Sequence, residues 1–173
     1  MRGASGSFGV VTSIQVETFA APDSATIFSY TWDLSAADAA SATQQFQNFV
    51  QTDIPQEFGA ELVLGRGSSS GRLYFGLTGG WYAPADQFAA VIAPLVNNLP
   101  TPSAQTITPG TYIESLLYVS GIGRLNTSGI ADTHDTFYAK SLMTPEASPM
   151  TVTALNAFMG YLGDAGFTAD TVC

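Results

Sequence analysis

Cysteine, histidine and positive charge are all scarce in this sequence. Its 173 residues include one cysteine, Cys173, and one histidine, His134. A single cysteine cannot form an intrachain disulfide, and a metal site needs several ligands close together, so we expect neither. Five Lys and Arg residues stand against fourteen Asp and Glu residues, which gives a net charge of −9. Nucleic acid is not an expected partner, because five scattered cations cannot form a basic patch.

Long hydrophobic runs are also missing. No stretch reaches the roughly 18 apolar residues that a membrane span requires, so we expect no membrane insertion. The first six residues are too short and too glycine-rich to be a signal peptide. Hydrophobic residues nevertheless make up 46% of the chain and charged residues only 11%, which is typical of a compact domain. The acidic, lysine-poor composition and the glycosylation sequon at Asn126 favour a secreted protein.

Five segments alternate between hydrophobic and polar residues, which is the pattern of half-buried strands. They are residues 8–19, 26–34, 58–66, 72–79 and 135–143. In the second segment Phe28 and Trp32 share one face, and we expect both in the core. The glycine- and serine-rich stretch 67–71 predicts a hairpin turn between the third and fourth strands. Residues 99–110 and 121–133 are expected to be loops, with an apolar run of undecided type between them.

Three further segments carry apolar residues at helical spacing. Ser35 is the expected N-cap of the first helix, which runs to about residue 53. Pro84 opens the second helix, and residues 148–149 begin the third with an N-cap serine followed by proline. Strand pairs that alternate with helices predict an α+β fold, with helices packed on one face of an antiparallel sheet.

Candidate acid–base residues are few. His134 precedes Asp135, but neighbouring residues on an extended strand point to opposite faces, so they cannot act as a base and its orienting carboxylate. Glu57 and Glu61 are interpreted as solvated charges rather than as an acid–base pair. We therefore assign no catalytic residue and no metal ligand.

Aromatic residues are more informative. Sugars stack their apolar faces on aromatic rings, while neighbouring polar groups bind their hydroxyls. Half or more of the rings, with Phe28 and Trp32 among them, are instead expected to fill the core between the sheet and the helices. The candidates for a sugar-facing surface are Tyr74, Trp81, Tyr82, Tyr112 and Tyr138.

Two motifs resemble those of a flavoprotein family. Residues 2–12 read RGASGSFGVVT, a glycine-rich loop that runs into a strand and lets the backbone approach an anion closely. The segment is similar to R-G-(A/G)-x-G-(S/N)-F-G-V-V-T of the berberine bridge enzyme-like oxidases, which have the vanillyl-alcohol oxidase fold. Residues 137–145, FYAKSLMTP, are similar to that family's F-x-x-(K/N)-S-x-x-x-P strand. Within the family, the chain most resembles the fungal glucooligosaccharide oxidases.

The resemblance implies how the chain is divided. Residues 1–20 would be the last strip of an FAD-binding domain whose remainder is missing, and residues 21–173 a C-terminally truncated substrate domain. The family's flavin-attachment residues and catalytic tyrosine would lie outside the chain, so we expect FAD in the full-length parent but none bound here. The residues implied to contact FAD in the parent are Gly3, Ser5, Gly6, Ser7, Phe8, Gly9, Val10 and Val11.

The function implied is that of a secreted carbohydrate oxidase. The parent would oxidise the anomeric carbon of a sugar or oligosaccharide to a lactone with oxygen as acceptor, and the fragment alone would be inactive. The alternative is a stand-alone carbohydrate-binding module, lectin-like or a secreted effector, without catalysis. Sheet edges left exposed by truncation predict self-association to a dimer or higher oligomer.

Overall fold

Among the residues that the structure describes, an antiparallel sheet and four α-helices form the fold. The computed structural model describes residues 10, 12–121, 140–141, 143–145, 147–164 and 171–172. The strands are β1 (Ala25–Ser35), β2 (Phe58–Arg66), β3 (Arg72–Trp81), β4 (Ala104–Gly110) and β5 (Thr171–Val172). The helices are α1 (Ala36–Val50), α2 (Phe88–Val96), α3 (Tyr112–Ser120) and α4 (Val152–Gly163). The strand order is β4-β1-β3-β2-β5, which confirms the predicted α+β class.

Alternation along the central strands gives the sheet two different faces. Phe28 and Trp32 of β1 and Phe75 and Leu77 of β3 point to one side, and none of them is more than 1% exposed. The register pairs Trp32 with Phe75, whose ring meets the indole edge-on at 5.6 Å between centroids. We call this side of the sheet the covered face, because helices pack on it.

Apolar stripes from α1, α2 and α4 cover this face. Helices with apolar residues on one side bury that side against the sheet, which is where most of their stability comes from. Phe88 of α2 reaches Phe28 of β1, with ring centroids 5.0 Å apart. The stripe predicted on the last helix is confirmed, since Leu155, Met159 and Leu162 are at most 1% exposed. The buried residues of α1 and α2 are Ala39, Ala40, Ala42, Thr43, Phe49, Phe88, Ile92 and Leu95.

Local signals for the central elements are confirmed. The strands predicted at 26–34, 58–66 and 72–79 are present as β1, β2 and β3. Ser35 is the N-cap of α1, and its Oγ accepts a hydrogen bond from the backbone N–H of Asp38 at 3.1 Å. In the hairpin turn between β2 and β3, Gly71 has a φ of 78°, a conformation that favours glycine.

The loop predicted at 99–110 is partly wrong, because residues 104–110 form the edge strand β4. The prolines that indicated a loop are compatible with this position, since an edge strand has one side free of ladder hydrogen bonds and accepts proline there. Pro109 lies in β4 opposite Thr26. The indole Nε1 of Trp32 donates to the carbonyl of Pro100 at 2.7 Å and fixes the approach to the strand. The apolar run that follows is the helix α3.

Two other predictions differ from the structure. Residues 12–19, inside the strand predicted at 8–19, form no strand, because none of the described strands pairs with them. The last helix begins at Val152 with Thr151 as its N-cap, three residues after the predicted start. The Thr151 Oγ accepts from the backbone N–H of Ala154, which fixes this later start. Most of the strand predicted at 135–143 and of the loop at 121–133 lies outside the described residues.

Candidate functional site

A row of polar side chains crosses the other side of the sheet, which we call the open face. Adjacent strands lie about 4.8 Å apart, so side chains directly opposite one another form a continuous line. The register places four residues in that line, in the order Thr106, Ser29, Thr78 and Glu61. Three hydroxyls, which can each donate and accept, and one carboxylate, which accepts, therefore lie in line across β4, β1, β3 and β2. Such a row can bind and orient the hydroxyl groups of a ligand.

A cavity of about 520 Å³ lies over three residues of this row, Ser29, Thr78 and Glu61. These residues line its floor together with Gly59 and Gly80, which have no side chain to cover the backbone there. Tyr118 and Val119 of α3 line the cavity as well, and they remain 48% and 69% exposed. The helices are thus divided: α3 lies on the open face, whereas α1, α2 and α4 pack on the covered face.

The position of α3 is set by caps at both ends. The Thr111 Oγ accepts from the backbone N–H of Glu114, and the Glu114 carboxylate accepts from the backbone N–H of Thr111 at 2.7 Å. This reciprocal capping box satisfies two otherwise unpaired helix donors. The backbone hydrogen bond from Thr111 lowers the pKa of the Glu114 carboxyl. Gly121, with a φ of 69°, ends the helix.

Two predicted substrate residues, Tyr82 and Tyr112, lie together at the end of β3. Their ring centroids are 6.1 Å apart in an edge-to-face arrangement, and Tyr82 lines the cavity. The Tyr82 ring lies back over Gly80, where an added Cβ would be 2.8 Å from the Tyr82 hydroxyl oxygen. A glycine at position 80 therefore lets a tyrosine lie on the open face.

The remaining aromatic candidates lie elsewhere. Tyr74 is on the open face near the opposite end of β3 and is 36% exposed. The structure places Trp81 in the core, 3% exposed, rather than on the predicted sugar-facing surface. Trp81 pairs with Phe58 on the covered face, and its indole Nε1 donates to the carbonyl of Pro84 at 2.9 Å. Tyr138 lies outside the described residues.

Sequence reasoning missed the polar row itself. Glu61 is exposed, as expected of a solvated charge, and the structure also places it opposite Thr78 on the floor of the cavity. The position of Glu61 opposite Thr78 could have been predicted from the hairpin, because a turn of known length fixes which residues of β2 and β3 lie opposite one another. Ser29 could not be found in this way, since its partners come from distant parts of the chain.

A second hollow, of about 190 Å³, lies at the Tyr74 end of the open face. Asp33 lines it and accepts hydrogen bonds from the Ser68 hydroxyl at 2.8 Å and from Arg72 Nε at 3.4 Å. The hydrogen bond from Ser68 is the largest cause that lowers the pKa of the Asp33 carboxyl. Both side chains of the Asp33–Arg72 ion pair are more than a third exposed, so water screens it.

The predicted flavin-contact residues fall almost entirely outside the described part of the chain. Val10 is the exception, and it is 89% exposed. Gly3, Ser5, Gly6, Ser7, Phe8, Gly9 and Val11 lie outside the described residues, as does the sequon Asn126. Among the residues that are described, no three metal-ligating side chains lie together, and no helix is long and apolar enough to cross a membrane.

The sequence is similar to two fungal oxidases over nearly all of its length. It is 29% identical over 174 residues to a chitooligosaccharide oxidase of Gibberella zeae, covering 96% of this chain and 32% of that protein. It is 24% identical over 166 residues to a glucooligosaccharide oxidase of Sarocladium strictum, covering 95% of this chain and 31% of that protein. No protein-family model matches. The chain thus spans about a third of the length of these relatives.

A solved structure of a related protein shares the fold. The glucooligosaccharide oxidase of Acremonium strictum superimposes with a TM-score of 0.70 at 19% identity, over 87% of this chain and 30% of that one. That enzyme carries a 6-S-cysteinyl, 8α-N1-histidyl FAD. At this identity, the superposition establishes the fold alone. The sequence similarity confirms the resemblance that the motifs indicate, and the chain is a homologue of fungal oligosaccharide oxidases.

Proposed function

We propose that this chain forms the substrate-side region of an FAD-dependent oligosaccharide oxidase. In that reaction a hydride leaves the anomeric carbon and a proton leaves its hydroxyl, which gives the lactone carbonyl. Oxygen takes up the two electrons and two protons as hydrogen peroxide. The observation that carries the proposal is the polar row under the open-face cavity, in a chain whose homologues oxidise oligosaccharides.

The open face would bind and orient the sugar. Hydroxyls of Ser29 and Thr78 both donate and accept, and the Glu61 carboxylate accepts from two sugar hydroxyls at once. The Tyr82 ring supplies an apolar surface beside them, and aromatic rings with a few fixed polar groups are the usual composition of ligand sites. Because the row lies on strands whose other face is the core, these groups are held on a rigid base.

FAD would supply the hydride acceptor when bound. The described residues form no cradle for it, because Val10 is 89% exposed and residues 12–20 pair with no described strand. We propose that these 173 residues alone neither hold FAD tightly nor turn over. Mixing the chain with FAD, oligosaccharide and oxygen should give no peroxide, and measurable peroxide would overturn this part of the proposal.

Sugar binding to the open face can be tested by amide chemical shifts. Titration with chitooligosaccharide or cellooligosaccharide should perturb the amides of Glu61, Thr78 and Tyr82 and leave those of α1 and α2 unchanged. Glu61→Gln should weaken binding, because a neutral amide accepts fewer hydrogen bonds from hydroxyls than a carboxylate does. Asp86→Asn, which removes an exposed carboxylate from the helical side, is the matched control. Perturbations confined to the helices would contradict the proposal.

A stand-alone carbohydrate-binding module is the second candidate. It is favoured by the cavity itself, which these residues form without any other chain. The two functions differ in affinity: a module should bind sugar at micromolar concentration without flavin, whereas one wall of an oxidase site should bind at millimolar concentration. Calorimetric titration of the 173-residue chain separates them.

We also propose that the chain self-associates. Ile14 and Phe19 are 78% and 89% exposed, and Ile107 on the edge strand β4 is 44% exposed. Extended apolar segments and open strand edges favour pairing with another chain. Light scattering at micromolar concentration should give the mass of a dimer or larger, and Ile14→Asp should lower it. A monomeric mass for the unchanged chain would contradict this.

We also propose that the parent oxidase is secreted. The acidic, lysine-poor composition and the sequon at Asn126 support it. The parent protein, expressed in a fungal host, should be recovered from the medium with a mass that falls on deglycosylation. Recovery only from the cell lysate would contradict secretion.

A further inference from the structure

Two tyrosine rings on the open face lean toward each other along β3. Tyr74 folds over Gly76, where an added Cβ would be 2.6 Å from the Tyr74 hydroxyl oxygen. Tyr82 folds over Gly80 in the opposite direction along the strand. Each ring therefore lies toward the middle of β3, and Thr78 is the one open-face residue between the two glycines. The strand thus carries two aromatic platforms with a hydroxyl between them.

The spacing of the platforms matches an extended ligand. Gly76 and Gly80 are four residues apart, which on a strand is about 13 Å. A single sugar ring is comparable in size to the tyrosine ring on which it stacks, so it cannot touch both platforms. A linked chain of sugars laid along β3 can contact both, with its central hydroxyls over Thr78.

Each platform also has its own polar hollow. At the Tyr82 end this is the cavity of about 520 Å³ over Glu61. At the Tyr74 end it is the hollow of about 190 Å³, lined by Asp33, Ser68 and Thr31. The Ser68 hydroxyl and Arg72 Nε hold the Asp33 carboxylate in place, which leaves a fixed acceptor beside the Tyr74 ring. An aromatic platform beside a fixed acceptor is suited to a sugar ring with its hydroxyls.

We propose that Tyr74 and the Asp33–Ser68 hollow form a second sugar subsite, remote from the Tyr82 cavity, that determines preference for chain length. The inference rests on the proposed function, because it requires that the open face binds oligosaccharide. It assigns the Tyr82 end to one end of the sugar chain and the Tyr74 end to a sugar unit further along. Tyr74 thereby becomes a specificity residue rather than a catalytic one.

The test compares ligands of different length on the unchanged chain and its variants. N-acetylglucosamine, its disaccharide and its tetrasaccharide are titrated, and dissociation constants are taken from amide shifts. The tetrasaccharide should bind about tenfold more tightly than the disaccharide, the gain expected from one further stacked ring. Tyr74→Ala should remove this gain and leave the disaccharide constant unchanged, whereas Tyr82→Ala should weaken both ligands.

Two further variants separate stacking from structural damage. Tyr74→Phe keeps the platform and should retain the gain. Gly76→Ala keeps the tyrosine but places a Cβ where its ring lies, so the gain should be lost with the fold intact. Equal affinity for disaccharide and tetrasaccharide, or equal weakening of both by Tyr74→Ala, would overturn the second subsite alone. Failure of every sugar to perturb the open face would instead overturn the proposed function, and this inference with it.

Discussion

Consecutive residues of β3 show how differently the two faces of the sheet are built. Leu73 points to the covered face and is fully buried, whereas Tyr74 points to the open face and is 36% exposed. The covered face is filled by large apolar side chains from one sheet and three helices. The open face carries glycines, hydroxyls, two carboxylates and tyrosines. The covered face therefore determines the fold, which leaves the open face available for ligand binding.

Glycine has a different purpose on each face. Gly79 lies on the covered face, where an added Cβ would meet the carbonyl oxygen of Gly59 and the ring of Phe28. Gly76 and Gly80 lie on the open face, where the three atoms nearest to an added Cβ belong to the side chain of Tyr74 and of Tyr82, respectively. The first glycine permits close packing of backbone and core, and the other two make room for side chains that lie on the surface.

The largest expected effect is on the free energy of unfolding, and it should distinguish Leu73 on the covered face from Tyr74 on the open face. Leu73→Ala should lower the free energy of unfolding by about 2–5 kcal/mol, because it leaves a cavity in a packed core. Tyr74→Ala should cost about 1 kcal/mol or less, as is usual for surface positions. Urea unfolding of the two variants beside the unchanged chain measures both values. Similar costs at the two positions would mean that the open face supports the fold as much as the covered face does.

The elements that build the covered face could be predicted from the sequence, because the sequence signals for them are local. Alternation in β1, the N-cap at Ser35 and the hairpin turn at 67–71 each specify structure within a few residues. Trp81 was placed wrongly because it was considered by itself and not as part of the strand that precedes it. It shares the period of Leu73, Phe75 and Leu77, so extending the strand by two residues would have placed it in the core.

The open face could not be read in the same way because its signals are non-local. Alternate polar residues in a strand predict only a solvent side, and the sequence does not show that Ser29 lies beside Thr106 and Thr78. The edge strand β4 was missed for a related reason, since its pairing with β1 joins residues about 80 positions apart. For residues 12–19, alternation predicts a strand, but a strand also requires a partner, which the pattern cannot supply.

An intermediate effect on stability is expected at two adjacent glycines, Gly79 on the covered face and Gly80 on the open face. Gly79→Ala should lower the free energy of unfolding by about 1–3 kcal/mol, because overpacking against backbone and the Phe28 ring forces the core to shift. Gly80→Ala should change it by less than about 1 kcal/mol, since the Tyr82 ring can rotate away and alanine is preferred to glycine in a strand. Urea unfolding gives the energies, and the ring signals of Tyr82 should shift only in Gly80→Ala. The opposite ranking would show that the faces are assigned the wrong way round.

The smallest effect concerns charge at the Tyr74 end of the open face. The Ser68 hydroxyl bonds the ionised Asp33 carboxylate and lowers its pKa from the ordinary value of 3.8. A lowered pKa in the folded state stabilises the fold above the ordinary value, and that contribution is lost as pH falls through the lowered one. Asp33→Asn should therefore reduce stability at pH 7, and its difference from the unchanged chain should shrink below about pH 4.

Two controls isolate the contribution of this carboxylate. Glu114 also has a lowered pKa and adds acid sensitivity of the same sign, but it is present in both proteins and cancels in their difference. Asp86→Asn tests the removal of one negative charge from an acidic chain. Ser68→Ala removes the largest cause of the shift, so a carboxyl titration by NMR should show the pKa of Asp33 rising toward 3.8. If the stability difference for Asp33→Asn were the same at pH 3 and pH 7, the open-face carboxylate would be as weakly held as any solvated charge, and the Tyr74 hollow would have no fixed acceptor.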